Sequence, residues 1–413
     1  MDNRVFCLTP EFSLPESICN AWNYIFDRFF CPKTHLLYDA LKGDTSKAYD
    51  FLPTPEQIHA DYPNACGWGT GMEDSVLTGG LAADALLALY RKTGNKAIKP
   101  MLDELFQGLF ACAEADGDSG FLARSLSPED GKSFYSNSSR DQYTHYVYAC
   151  IRFYDSDLSD ETQKATIRRT LANIAAKCLR DVTPEHGYML LRADGGESIV
   201  STMWGKLGEH EYMRLPMFYL AAYHVTGDKK WETEYMKYRD EAIEKSHGFD
   251  YKKLHCFAAL QMVYSLRLVY DLDPDENTRE KLLFLMKEAA DFGLPYALER
   301  GKPLCEKAAR ETFNFTYKKW YEVEKMKDVG TFGGKHYLNP GQNESTHVNS
   351  AFYPIRNVGE GASLVALCPE YPVSDSLCET LAALAGNIDY AKHHTYAPLL
   401  VAGGYMLCME KQA

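Results

Sequence analysis

Carboxylic acids stand at two points where apolar helices are predicted to begin. Glu73 and Asp74 precede an apolar run that starts at Ser75, and Asp141 shortly precedes another that starts at Val147. Two carboxyl groups that face one cleft can donate and accept protons, which is the chemistry that cleaves glycosidic bonds. The simpler alternative is that each acid stabilises the positive end of its helix. We therefore treat Asp141, Asp74 and Glu73 as the candidate catalytic residues.

Aromatic and basic residues accompany these acids in the sequence. Trp68 lies in the Gly-rich segment before Glu73, and Arg140 immediately precedes Asp141. His145 is four residues after Asp141 and therefore on the same face of a helix, and His210 and Arg214 are predicted to share a face in the same way. Such side chains can stack on sugar rings or hold their polar groups. The predicted substrate-binding residues are Trp68, Arg140, His145, Trp204, His210, Tyr212, Arg214, His347 and Tyr353.

The helices that must position these residues are predicted to be of two alternating kinds. Residues 81–90 contain one charged side chain, so this helix must be covered on most sides. The helix that follows has one apolar stripe opposite a polar face, formed by Ile98, Met101, Leu102, Leu105 and Leu109. Five such pairs, joined by short polar turns, follow one another along the chain. The alternation indicates an inner ring of buried helices inside an outer ring of half-exposed helices.

Helices at about residues 15–30 and 395–409 supply a sixth pair that would close the ring. The sequence therefore predicts an all-α fold, a single (α/α)6 barrel over residues 1–413. An open solenoid of helix pairs is the alternative. The turn markers Tyr90, Phe153, Tyr223 and Tyr270 are 63, 70 and 47 residues apart, which is too irregular for most solenoids. The long loops 116–138, 182–208 and 328–346 precede inner helices, so we expect them to gather at one mouth of the barrel.

Composition narrows the classes of partner. The formal net charge of −13 disfavours nucleic acids and anionic membrane surfaces. No apolar run is long enough to span a membrane. The twelve cysteines show no metal-binding spacing, and nucleotide-binding and HExxH motifs are absent, so we expect neither a cofactor nor a metal. Reduced thiols and the lack of a visible signal peptide predict a cytoplasmic protein, or a periplasmic one if a signal peptide has been removed.

With two aspartates 67 residues apart at the starts of successive inner helices, Asp74 and Asp141, the chain resembles the six-hairpin glycosidase superfamily. Within it, the chain is most similar to the unsaturated glucuronyl hydrolases. The resemblance implies that Asp141 is the general acid/base and Asp74 its partner, with Glu73 as a rival for the second role. The Arg-Gly-x-x-Trp segment typical of that family is not found, so a neighbouring family that hydrolyses ordinary uronosides fits as well.

The predicted function is therefore hydrolysis of oligosaccharides that contain uronic acid. Arg140, Arg214, His210 or Lys206 would hold the sugar carboxylate. The first alternative is a polysaccharide lyase on the same barrel that uses tyrosine or histidine as base, with these candidates: Tyr143, His145, His210, Tyr212, His347 and Tyr353. A sugar epimerase and a non-catalytic carbohydrate-binding protein are the remaining alternatives.

Overall fold

The computed structural model describes residues 6–39, 41, 46–198, 200–251, 256–308, 352–391 and 393–412. Within these ranges the chain forms thirteen α-helices and one short antiparallel hairpin, β1 (Phe30–Cys31) with β2 (Leu36–Leu37). The helices are α1 (Glu16–Arg28), α2 (Pro55–His59), α3 (Ser75–Thr93), α4 (Lys99–Glu114), α5 (Arg140–Tyr154), α6 (Glu161–Asp181), α7 (Arg214–Thr226), α8 (Lys229–Lys245), α9 (Cys256–Leu272), α10 (Glu276–Ala308), α11 (Phe352–Leu367), α12 (Asp375–Asn387) and α13 (Ala397–Lys411).

The odd-numbered helices from α3 to α13 form a closed inner ring. Each of them contacts the next one in the series, and α13 contacts α3. Every residue from Ser75 to Leu89 in α3 is buried, as expected for a helix that is apolar nearly all round. The predicted (α/α)6 barrel is therefore confirmed, and the open solenoid is not the fold.

The outer ring consists of α1, α4, α6, α8, α10 and α12. In α4 the predicted stripe of Met101, Leu102, Leu105 and Leu109 is buried, whereas Gln107 on the opposite side is exposed. Helix α1 packs against α12 and α13. The N-terminal and C-terminal helices thus form the sixth pair, as the sequence predicts.

Glycine residues allow the inner helices to approach one another closely. A Cβ atom on Gly80 of α3 would lie 2.8 Å from the backbone oxygen of His145 in α5. A Cβ atom on Gly359 of α11 would lie 2.4 Å from the backbone of Leu400 in α13. Real Cβ atoms do not come so close to backbone, so these glycines set the spacing between neighbouring helices of the ring.

The direction of the inner helices creates two different ends. Each outer helix returns the chain, so all inner helices begin at the same mouth. Residues 115–139 and 182–213 form the long connections before α5 and α7, as predicted, whereas only two residues join α7 to α8. The predicted loop 328–346 lies outside the described residues. No helix in the described part of the chain is both long and apolar enough to cross a membrane.

Candidate active site

The N-terminus of α3 is capped by residues other than the acid that precedes it. Asp74 occupies the N-cap position, but its side chain makes no capping hydrogen bond. Instead, Oδ2 of the buried Asp39 accepts the backbone N–H groups of Glu73 at 2.8 Å and Asp74 at 3.2 Å. Gln142 Oε1 on α5 accepts the N–H of Leu77 at 2.9 Å. Helix capping therefore does not occupy the carboxylate of Asp74.

The carboxylate of Asp74 is instead oriented from the side. Its Oδ1 accepts from Gln142 Nε2 at 2.9 Å and lies 3.4 Å from Arg124 Nη2. Gln142 and Arg124 are both buried, and each also donates to the backbone oxygen of Glu73. The Asp74 side chain retains 24% of its accessible surface. One oxygen is thus fixed by two rigid donors while the carboxyl group as a whole stays accessible.

Glu73 has a different environment from its neighbour. Its Oε2 accepts the backbone N–H of Gly69 at 2.6 Å, which ties it to the Gly-rich loop. In that loop Gly67, Gly69 and Gly71 have φ values of 68°, 80° and 98°, a region that favours glycine. Trp68 lies half-buried in the same loop. This contact ties Glu73 to the loop, and its catalytic role stays a prediction.

Asp141 lies in the first turn of α5 and forms an ion pair with α7. Arg214 Nη1 donates to Asp141 Oδ1 at 2.6 Å, and the arginine is only 2% exposed. Burial alone would raise the pKa of Asp141, but Arg214 and Arg140 outweigh it, so this pKa lies below its usual value. Asp141 is therefore a carboxylate at neutral pH and, before a ligand binds, is equipped to accept a proton.

The segment before α7 supports this ion pair. Arg140 donates to the Thr202 backbone oxygen at 2.8 Å and forms an ion pair with Glu211. His210 lies beside Glu211 in a 3-10 helix that ends before α7 begins at Arg214. The predicted shared helical face of His210 and Arg214 is therefore wrong, because the two residues belong to different helices. Burial lowers the pKa of His210, so the ring is mainly neutral near pH 7.

His145 lies deeper in the ring, one turn after Asp141. Its Nε2 is 2.8 Å from the amide nitrogen of Gln261, and its ring packs edge-on against Tyr264. Because an amide nitrogen only donates, Nε2 accepts and Nδ1 carries the proton. Burial lowers the pKa of His145 to about 3, which keeps the ring neutral. His145 is thus part of the floor below Asp141.

A further buried ion pair lies on α11, next to the start of α13. Arg356 Nε donates to Glu360 Oε1 at 2.6 Å, and its Nη1 donates to the Tyr396 hydroxyl at 3.1 Å. The guanidinium also lies 4.3 Å from the centre of the Phe257 ring. Asp74 contributes to the electrostatic environment of both Arg356 and Tyr396, so this side is close to the α3 acids.

Several predicted binding residues have structural contacts of their own. Trp204 is 8% exposed and packs edge-on against Tyr212 and Tyr238. The Tyr212 hydroxyl donates to the Gly205 backbone oxygen at 2.9 Å and accepts the N–H of Leu207. Both side chains hold the loop before α7, and contact with substrate stays a prediction for them. His347 lies outside the described residues, as does the side chain of Tyr353, whose backbone belongs to α11.

Buried polar atoms without hydrogen-bond partners are concentrated at this mouth. Folded proteins rarely leave such atoms unsatisfied, so a cluster of them indicates a site for water or a polar ligand. Among the described residues, those at this end include Asp39 Oδ1, Arg124 Nη1, Asn137 Oδ1, Ser138 Oγ, His210 Nδ1, Arg214 Nε, Gln261 Oε1, Asn357 Oδ1 and Glu360 Oε2.

The opposite end of the barrel contains a cavity and a cluster of paired ionisable side chains. A cavity of about 470 Å³ lies at the C-terminal ends of α3, α5 and α9. Beneath it, Arg152 pairs with the buried Asp84 at 3.2 Å and with Glu410 at 3.2 Å, and Glu410 also pairs with Arg91. These side chains are paired with one another, whereas several buried polar atoms at the other mouth lack partners among the described residues, which favours that mouth as the candidate site.

The sequence predictions include none of the three residues that hold the start of α3: Asp39, Arg124 and Gln142. Gln142 had a usable signal, because it directly follows Asp141 at the start of a buried helix. Asp39 and Arg124 lie in irregular segments far from the acids in sequence, where no periodicity marks them. Their importance follows only from contacts made across the ring.

Comparison with known proteins leaves the family open. No protein-family model and no curated protein matches the chain. Among solved structures, the chain is similar to the alpha-1,6-mannanase of Salegentibacter sp. HEL1_6, with a TM-score of 0.33 and 12% identity over 67% of this chain and 86% of that chain. An inactive variant of that mannanase in complex with alpha-1,6-mannotriose gives a TM-score of 0.33 and 11% identity over 95% and 99% of the two chains. Similarity at this level assigns no substrate to this chain.

Proposed function

We propose that this protein is a glycoside hydrolase in which Asp74 and Asp141 carry out the proton transfers. The observation that carries the proposal is the link between the two acids through Gln142. This residue is adjacent to Asp141 on α5, and its amide donates to the carboxylate of Asp74 on α3. This contact supports the assignment of both partly exposed carboxyl groups to one mouth, where several buried polar atoms lack partners among the described residues.

The environments of the two acids suggest a division of roles. Asp141 is held as a carboxylate by Arg214, so we assign it to remove a proton from the attacking water. Asp74 then protonates the oxygen of the leaving sugar as the glycosidic bond breaks, and water supplies the new hydroxyl group. Gln142 and Arg124 hold Asp74 Oδ1, so Oδ2 is the oxygen proposed to carry that proton. The resemblance to the unsaturated glucuronyl hydrolases implies that Asp141 is both general acid and general base. In this proposal Asp141 is only the base, and Asp74 is the acid.

We further propose that the substrate contains a uronic acid. The support is a set of guanidinium groups at the mouth, from Arg124, Arg140, Arg214 and Arg356, of which all but Arg140 are less than a tenth exposed. Arg124 Nη1 and Arg214 Nε have no partner among the described residues. Guanidinium donors of this kind match the geometry of a sugar carboxylate.

The lyase alternative receives less support from the same contacts. The Tyr143 hydroxyl accepts the N–H of Leu122 and is buried, and the Tyr212 hydroxyl is bonded to its own loop. Burial raises the pKa of Tyr143 far above its ordinary value. A hydroxyl in such a position is poorly suited to deprotonate a sugar carbon.

The test is a comparison of three substrates: an oligosaccharide ending in an unsaturated uronyl residue, a saturated uronic-acid oligosaccharide and a neutral oligosaccharide. New reducing ends report hydrolysis. Ultraviolet absorbance rises with a lyase, falls with an unsaturated-uronyl hydrolase and stays constant with an ordinary hydrolase. Asp141→Asn should lower kcat/KM by about 10²–10⁴-fold, whereas Asp155→Asn at the opposite end serves as the control. Retained activity in Asp141→Asn would refute the proposed role.

A further inference from the structure

Asp39 is a third carboxyl group at the α3 end that the two-acid scheme does not use. It follows β2, and its backbone N–H donates to the Gly71 oxygen at 3.1 Å. The preceding Tyr38 is anchored by its hydroxyl, which donates to the Leu126 backbone oxygen at 2.6 Å. The hairpin therefore holds Asp39 firmly beneath the Gly-rich loop, where it is 5% exposed.

The two carboxyl oxygens of Asp39 differ in their hydrogen bonds. Oδ2 accepts both backbone N–H groups at the start of α3, from Glu73 and Asp74. Oδ1 is buried and has no hydrogen-bond partner among the described residues. A proton can therefore bind Oδ1 without breaking either hydrogen bond that caps the helix. An ionised Asp39 would instead leave an unsatisfied, negatively charged oxygen in the interior.

The carboxyl groups around Asp39 also favour its protonated form. Glu73 and Asp74, which immediately precede α3, bring their carboxyl groups close to it, and the Tyr396 hydroxyl lies nearby at the start of α13. Two arginines belong to this side of the site: Arg124 directs its guanidinium to the Glu73 backbone and to Asp74, and Arg356 directs its guanidinium to Glu360 and to the Tyr396 hydroxyl. Burial first, and then Asp74 and Glu73, hold the pKa of Asp39 well above its usual value.

We propose that Asp39 is a positioning residue that stays protonated in the working enzyme and thereby keeps a second negative charge away from Asp74. This inference rests on the proposed function, in which Asp74 is the proton donor. An ionised Asp39 would place a negative charge beside Asp74, raise the pKa of Asp74 and make it a weaker proton donor. A neutral Asp39 thus holds the backbone of Glu73 and Asp74 in place without this effect and without touching the substrate.

The test compares Asp39→Asn with Asp39→Ala in pH profiles of kcat/KM on the substrate that is hydrolysed. Asparagine preserves an oxygen acceptor for the two N–H groups and mimics the neutral acid. We expect it to keep kcat/KM within about threefold of the wild type and to leave the alkaline limb within about half a pH unit, because asparagine reproduces the neutral state of Asp39. Asp39→Ala removes the cap and should lower the melting temperature as well as activity at every pH. A loss of more than about tenfold in Asp39→Asn, or a shift of its alkaline limb by more than about one pH unit, would overturn the proposal.

An infrared measurement separates this proposal from the proposed function. The spectrum of the wild-type protein at neutral pH should contain a protonated-carboxyl band that Asp39→Asn removes. Asp84→Asn is the matched control, because it removes a buried acid at the opposite end of the barrel and should leave the Asp39 band in place. If the wild type hydrolyses none of the three saccharides but the band behaves as expected, only the enzymatic proposal fails. If Asp39→Asn leaves every protonated-carboxyl band unchanged, the inference about Asp39 fails whatever the activity.

Discussion

The ion pair between Asp141 and Arg214 provides a quantitative test of how the site is built. Arg214 is 2% exposed, and the Asp141 side chain is 29% exposed. Removing one partner of a fully buried pair costs about 3–5 kcal/mol, and an exposed pair contributes about 0–1 kcal/mol. Because Asp141 retains some contact with water, we expect Asp141→Asn to lower the free energy of unfolding by about 2 kcal/mol. That variant should therefore lose stability as well as activity.

A double-mutant cycle isolates the pair from other effects. Arg214→Met removes the buried charge but keeps much of the aliphatic side chain, so the double variant should be more stable than the sum of the single changes predicts. We expect a coupling energy of about 1–2 kcal/mol, measured by urea denaturation followed by circular dichroism. The control cycle uses the partly exposed i, i+4 pair Lys99 and Asp103, for which we expect at most about 0.5 kcal/mol. Equal coupling in the two cycles would show that Arg214 does not hold Asp141 through a buried charge.

Two further predictions concern Gln142 and Asp84. Gln142→Leu leaves the Leu77 N–H without its acceptor and removes one of the two donors to Asp74 Oδ1, so we expect the free energy of unfolding to fall by about 1–3 kcal/mol in urea denaturation and kcat to be lower. An unchanged kcat would contradict the link between the acids. Burial raises the pKa of Asp84 from 3.8 to about 7, so the folded state keeps a proton that the unfolded state releases, and this contribution to stability is lost as pH rises from about 4 to about 7. Across that interval the free energy of unfolding of Asp84→Asn should therefore rise by up to about 4 kcal/mol relative to that of the wild type. Urea denaturation at both pH values measures this difference, and a difference that does not change with pH would refute the assignment.

The fold could be predicted because the burial of helix faces produces a periodic pattern of apolar residues in the sequence. Helix α3 is apolar on all sides and α4 on one side, and this alternation repeats around the ring. The closing contact between α1 and α13 also followed from counting helix pairs. Helix ends were less predictable, since they depend on caps that come from other segments, as the start of α3 illustrates.

The site could be predicted only in part, because its chemistry depends on contacts between segments distant in sequence. Asp74 and Asp141 could be selected by residue type and position at helix starts. The pairing of Asp141 with Arg214 joins two inner helices, and the Asp39 contacts join a hairpin to α3. No local pattern encodes such contacts. Trp204 illustrates the converse, since an aromatic residue in a polar loop proves to be packed among other rings.

An acid at the start of a helix is ambiguous in sequence, because capping and catalysis favour the same residue at the same place. At α3 the acceptors of the free N–H groups favour catalysis. The N–H groups of Val76 and Leu77, which the Asp74 side chain would otherwise cap, donate to the Arg124 backbone oxygen and to Gln142, although both residues lie far from α3 in sequence. A purely structural Asp74 would make these two contacts redundant. Their presence is best explained if the carboxylate of Asp74 must remain available to a ligand at the mouth of the barrel.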